Sequence, residues 1–155
     1  MEVNNNLYVA RKVCNAQDLA DWAESQGFED ITPPNEMHVT VAYSRTPVAY
    51  ESDDEVLSVS SDNFTHMSIL GNAIALFFNS EILQARWQSL IDSGASWDFE
   101  YYTPHISISY NNGQLIELDK IVLPTFDIEL CGEYAEPLDE DWNLSSSMML
   151  NDDII

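Results

Sequence analysis

The sequence predicts an α+β chain folded as two pseudo-symmetric lobes, each a β-sheet with an outer helix, around a central cleft. Three observations carry this expectation. A strand–helix–strand pattern occurs twice, over 7–43 and 73–110. The closing strands of the two units, HVTVAYS from His38 and HISISYN from His105, match position by position. At 155 residues the chain has the length of about one domain, so both units belong to a single domain spanning 1–155.

Each element follows from local pattern. Leu7 to Val13 (LYVARKV) is short and β-prone. Asn15 can cap a helix, Asp18 follows three residues later, Leu19, Trp22 and Ala23 make one face, and Gly27 stands past the end. His38 to Tyr43 then alternates and is β-branched. The same order returns with Ala73 to Asn79 as strand. Ser80 is its helix cap, and Glu81 lies in the first turn where the helix dipole favours an anion. Leu83, Trp87, Leu90 and Ile91 form the apolar stripe, and Gly94 follows. Each motif histidine stands eleven residues after its helix-stop glycine. Glu51 to Thr65, rich in Ser and Asp, reads as a linker between the halves. His66 to Leu70, Gly71-Asn72 and Ala73 onward read as a hairpin. Ile121 to Cys131 suggests another strand or pair, broken by Pro124. The segment EPLDEDW ends an acidic stretch at Trp142, and the residues after Leu144 are expected to be loosely held.

The chain has 27 Asp+Glu against 5 Lys+Arg, a formal charge of −22, with acids spread along its whole length. Duplex nucleic acid and anionic membranes demand many cations, so the composition excludes them as partners while leaving room for one small anionic ligand in a local pocket. Apolar residues make up 45%, enough for a real core rather than a disordered acid. No run approaches the roughly 20 apolar residues of a membrane span. The start, MEVNNNLYVARK, carries no apolar signal-peptide core. Cys14 and Cys131 fit neither a disulfide framework nor a zinc site. They read as two buried thiols in a reducing cytosol.

Strand alternation gives the motifs their chemistry. His38, Thr40 and Ala42 share one face and Val39, Val41 and Tyr43 the other; His105, Ser107 and Ser109 stand likewise against Ile106, Ile108 and Tyr110. Two imidazoles facing one phosphodiester make an acid–base pair, each role typically worth about 10²–10⁴-fold in rate. A histidine's ordinary pKa near ~6.5 suits both roles at neutral pH. Thr40 and Ser107 can donate to the non-bridging phosphate oxygens. No metal or other cofactor is required. One H-x-T alone would be weak evidence; two at matching places in a repeated unit are not. His66 lacks the pattern and reads as structural, and Trp97 and Phe99 read as packing residues. Alternation puts Tyr8, Ala10 and Lys12 on one face and Arg11 on the other, which makes Lys12 the better phosphate neighbour.

HVTV and HISI resemble the paired signatures of the two-histidine phosphoesterase superfamily, which includes the RNA-ligase-like cyclic phosphodiesterases. LYVARKV (7–13), EMHVTVAYSR (36–45), GASWDF (94–99), YTPHISISY (102–110) and EPLDEDW (136–142) are similar to phage anti-CBASS phosphodiesterases, which degrade cyclic di- and trinucleotide alarms such as cGAMP. The resemblance implies a bilobal fold, metal-independent phosphodiester chemistry, His38, Thr40, His105 and Ser107 as the catalytic set, and action in the cytoplasm of an infected bacterial host. It implies nucleotide contacts for Tyr8, Glu136 and Trp142. Tyr8 or Trp142 can stack on a base and Glu136 can accept from a base amine. Two other classes account for part of the sequence. An acidic DNA mimic would explain the charge, and a cyclic-nucleotide sponge would explain Tyr8 and Trp142, but neither needs two histidines. No G-x-S-x-G elbow supports a serine hydrolase, and no H-E-x-x-H supports a zinc enzyme.

Overall fold

The computed structural model describes residues 2–4, 6–110 and 116–137. In chain order the elements are β1 (Glu2–Asn4), β2 (Leu7–Val13), α1 (Ala16–Ser25), β3 (His38–Ser44), β4 (Val48–Tyr50), β5 (Leu57–Val59), β6 (Phe64–Leu70), β7 (Ala73–Phe78), α2 (Glu81–Asp92), β8 (His105–Ser109) and β9 (Ile128–Glu136). The order is α+β, with two main sheets. One runs β3-β2-β9-β5 and the other β6-β7-β8; β1 and β4 form a separate pair. Every strand pairing is antiparallel.

The local signals decide the helices. Leu19 and Ala23 of α1 and Leu83 and Leu90 of α2 are buried at helical spacing. Ser80 caps α2 by accepting from the Leu83 amide at 3.1 Å. Asn15 behaves differently from the expected cap. Its side-chain amide donates to Asp127 O at 2.9 Å and its oxygen accepts from Glu129 N at 2.9 Å, so it fastens the helix start to β9. Gly27 and Gly94 both have positive φ just past their helices, a conformation that suits glycine.

Four expectations are corrected. The stretch 51–65 is no bare linker, because Leu57–Val59 pairs with Glu129 and its neighbours as an edge strand and Phe64 already begins β6. Asp53 and Glu55 in it hold the buried Arg11 guanidinium through backbone carbonyls, with the Asp53 carboxylate 3.3 Å away. Gly132 is required beneath it, since a Cβ there would stand 2.8 Å from Asp54 O. The late strand begins at Ile128, beyond Pro124, and runs on to Glu136. Cys14 and Cys131 are not buried thiols; they form a disulfide, with Cα atoms 5.3 Å apart. Topology brings them together, because Cys14 N donates to Glu129 O of β9 at 2.7 Å.

The fourth correction concerns β3 and β8. Val9 pairs with Ala42 and Ala10 with Thr40, so Val41 is an extra residue, a β-bulge. Ile74 pairs with Ser109 and Ala75 with Ser107, so Ile108 is the extra residue in β8. The two bulges fall at the same place in the two motifs, three residues after the histidine. Beyond each bulge the faces exchange. Tyr43, expected in the core with Val39, lies opposite Tyr8 on the His38 side. Ser109, expected beside His105, is fully buried on the Ile74 side and donates to Glu29 O.

Candidate active site

His38 and His105 open two strands, β3 and β8, that lie against each other in the fold. Their rings are held alike. His38 Nδ1 is 2.9 Å from Glu36 O and His105 Nδ1 is 2.8 Å from Thr103 O, in each case the carbonyl two residues earlier. A carbonyl only accepts, so Nδ1 carries the proton in both rings and Nε2 is the second ring nitrogen, buried in His105. With a lone pair on Nε2 the ring is a base; with a proton there it is an acid. Two residues on, Thr40 and Ser107 are both buried.

The face of the four-stranded sheet that bears His38 forms three rows. Lys12 stands opposite His38. Thr40, Ala10 and Tyr134 make the second row, and Tyr43, Tyr8 and Glu136 the third. Tyr8 and Lys12 share a face, as alternation predicted, and pairing with β3 and β9 makes it the face of His38 and Glu136. Tyr8 is buried and shares a 2.8 Å hydrogen bond with the Thr40 hydroxyl. What it presents to Thr40 is its hydroxyl rather than a free ring face. Burial pushes the Tyr8 hydroxyl pKa up, so it remains a neutral donor or acceptor. Lys12 donates to Asn35 O at 2.8 Å and stands 5.6 Å above the Tyr134 ring. Glu136 is exposed at the strand end. Trp142 lies outside the described residues. Arg11 points away from this face and is fully buried.

Around His105 the flank is aromatic. Phe77 is its cross-strand partner, with ring centroids 5.2 Å apart, and exposed His66 stacks on the far side of Phe77 at 4.9 Å. The duplicated groups therefore sit in unlike surroundings, Lys12 beside one imidazole and Phe77 beside the other. Trp97 packs on Tyr43 at 4.4 Å, as expected of a packing residue, whereas Phe99 is 41% exposed at its edge.

Tyr134 escaped the sequence reading. Its signal was present: alternation back from Glu136 places it on the same face, once β9 is known to extend that far. Burial raises its pKa, and neighbouring Glu136 adds to the rise. Among the described residues no group of three or more His, Cys, Asp or Glu comes together as metal ligands. No helix of the described residues is long and apolar enough to cross a membrane.

The fold is shared with a phosphoesterase. A solved structure titled "Crystal structure of phosphoesterase" superposes with a TM-score of 0.61 over 90% of this chain and 91% of that one, at 11% identity. Residues 5–145 match the family model for the anti-CBASS protein Acb1, and the chain belongs to that family. The Acb1 of Enterobacteria phage T4 is 32% identical over 147 residues, covering 91% of this chain and 93% of that protein. Acb1 proteins of Caulobacter sp. (strain RHG1) and Sphingomonas paeninsulae are 32% and 33% identical over 88% of this chain. The chain spans only 23% of the length of either bacterial relative.

Proposed function

We propose that this chain is a metal-independent phosphodiesterase that opens cyclic di- and trinucleotide messengers such as cGAMP. It would thereby counter CBASS immunity in the cytoplasm of an infected bacterial host. The observation that carries the reading is the matched pair of imidazoles, each fixed at Nδ1, each with a hydroxyl two residues on. In this reading the units 7–43 and 73–110 are the halves of one two-lobed domain, and His38, Thr40, His105 and Ser107 act on the scissile phosphate. One Nε2 takes the proton from the ribose hydroxyl vicinal to the bridging oxygen. The deprotonated hydroxyl oxygen attacks phosphorus, the P–O5′ bond breaks, and the other Nε2 protonates the leaving oxygen. The nucleophile is tethered to its target, so proximity needs no further help from the protein. Thr40, with Tyr8 behind it, and Ser107 donate to the phosphate oxygens as charge gathers there. Lys12 neutralises phosphate charge, and Glu136 and Trp142 contact the bases.

The test is a panel of cyclic oligonucleotides in excess EDTA, with products weighed by mass spectrometry. The expected product of a 3′–5′ linked ring is linear and passes through a 2′,3′-cyclic phosphate. A substrate lacking the vicinal hydroxyl should bind and resist cleavage. Rapid cleavage of that deoxy ring, or cleavage that stops in EDTA and returns with a divalent ion, overturns the mechanism. Binding of every ring without product would favour a sponge, and absence of binding a DNA mimic.

A further inference from the structure

We propose that Thr32 and Tyr102 are a reciprocal pair of positioning residues, each reaching from the segment that leads into one histidine motif to fix the hydroxyl-bearing residue of the other. The inference rests on the catalytic reading of the two motifs. The Thr32 hydroxyl donates to Ser107 O at 2.9 Å, and the Tyr102 hydroxyl donates to Thr40 O at 2.7 Å. Thr32 lies six residues before His38 and Tyr102 three before His105. Both side chains are buried, at 2% and 5% exposure, where a hydrogen bond has no competing water.

Topology explains why these two bonds matter. β3 and β8 are edge strands of their sheets, and no ladder joins one to the other. Their outward backbone groups need partners from elsewhere. The partners come crosswise. Thr32 N donates to Ile108 O at 2.8 Å, Tyr110 N donates to Asp30 O at 3.1 Å, and Ile31 bridges to Ser109. In the other direction the contacts are to side chains at and just past the end of β3: Asp98 N donates to the Tyr43 hydroxyl at 3.3 Å, and the Asp98 carboxylate pairs with Arg45 at 2.7 Å. Thr32 and Tyr102 place side-chain hydroxyls on the carbonyls of Ser107 and Thr40 themselves. With no ladder directly between β3 and β8, the separation of the two acid–base groups depends on the backbone bonds of residues 30–32 together with the two side-chain bonds. A misplacement of about 1 Å in such a pair can cost about 10²-fold in rate.

The experiment uses Thr32→Val, Tyr102→Phe and Thr32→Ser in the full chain, assayed well below each variant's melting midpoint. Binding is followed with the deoxy ring that cannot be cleaved. Wild-type turnover is established first. If the wild type cuts no ring, the proposed function fails and this inference falls with it. With an active wild type, Thr32→Val and Tyr102→Phe should each lower kcat by about tenfold or more, by the same geometric argument. KM and deoxy-ring binding should stay within about twofold, and Thr32→Ser should restore kcat. Wild-type kcat in Thr32→Val, a parallel loss of kcat and deoxy-ring binding, or a Thr32→Ser variant as slow as Thr32→Val would overturn the positioning role and leave the proposed function standing. If Tyr102→Phe does not fold, the threonine pair of variants decides alone.

Discussion

An imidazole tied to a carbonyl through Nδ1 has one nitrogen left for chemistry, and His38 and His105 share that restriction. Under the proposed mechanism, in which the two act as a unit, His38→Ala and His105→Ala should each lower kcat by at least about 10²-fold in a folded protein, and the double variant should be little slower than either single one. Additive losses would separate their roles. The Lys12 ammonium over the Tyr134 ring makes a second residue-scale prediction. Tyr134→Leu should raise KM about two- to fivefold, as loss of an exposed cation–π contact implies, while Tyr134→Phe keeps the ring and stays near wild type. In a Lys12→Met background Tyr134→Leu should change nothing more; an equal further loss there would show that the ring acts independently of the lysine. The histidines and hydroxyls were legible because period-two alternation is local and the motif is written twice. Thr32 and Tyr102 were not, because their significance lies in partners such as Ser107, 75 residues from Thr32, while Tyr134 turned on how far β9 extends.

Elements show the same division. Leu19, Ala23, Leu83 and Leu90 announced their helices through spacing, and Gly27 and Gly94 announced the ends. The bulges at Val41 and Ile108 left no such mark. A strand of β-branched residues reads as straight, and the extra residue appears only when Val9 and Ala10, or Ile74 and Ala75, are set against it. The join between α2 and β9 was equally silent. Arg86 donates to both carboxylate oxygens of the fully buried Glu133 side chain, at 2.8 and 2.9 Å, and Tyr50 adds its hydroxyl at 2.9 Å. The carboxylate raises the Arg86 pKa against the opposing pull of burial. Glu133→Ala leaves that partly exposed guanidinium and the Tyr50 hydroxyl without their acceptor and should cost about 1–3 kcal/mol by chemical denaturation. An unchanged midpoint would mean that water takes over the pair.

At the scale of the molecule, the buried tyrosines set an alkaline limit. Burial raises the pKa of Tyr8 and Tyr102 well above the ordinary value near ~10. Their contribution is intact below about pH 10. It falls as pH rises further, by about 1.4 kcal/mol per pH unit for each, because the unfolded chain loses protons that the folded chain retains. Tyr8→Phe should flatten the slope of stability above pH 10; an unaltered slope would place the titration elsewhere. The −22 charge argued against polyanionic partners but said nothing about where five cations would stand. Two of them, Arg11 and Arg86, are spent on carboxylates and carbonyls inside the fold. The disulfide between Cys14 and Cys131 has a consequence for connectivity. It closes a covalent ring that contains both histidine strands, both helices and the whole β6-β7-β8 sheet. A single cut in an exposed stretch of that ring, such as Glu51 to Glu55, leaves one molecule in one piece. The backbone order is unchanged; the piece before the cut and the piece after it each keep one original end, gain one new end, and stay joined through the sulfur bridge. Under reducing conditions the same cut yields two fragments, one with the His38 motif and the other with the His105 motif, held together by packing alone.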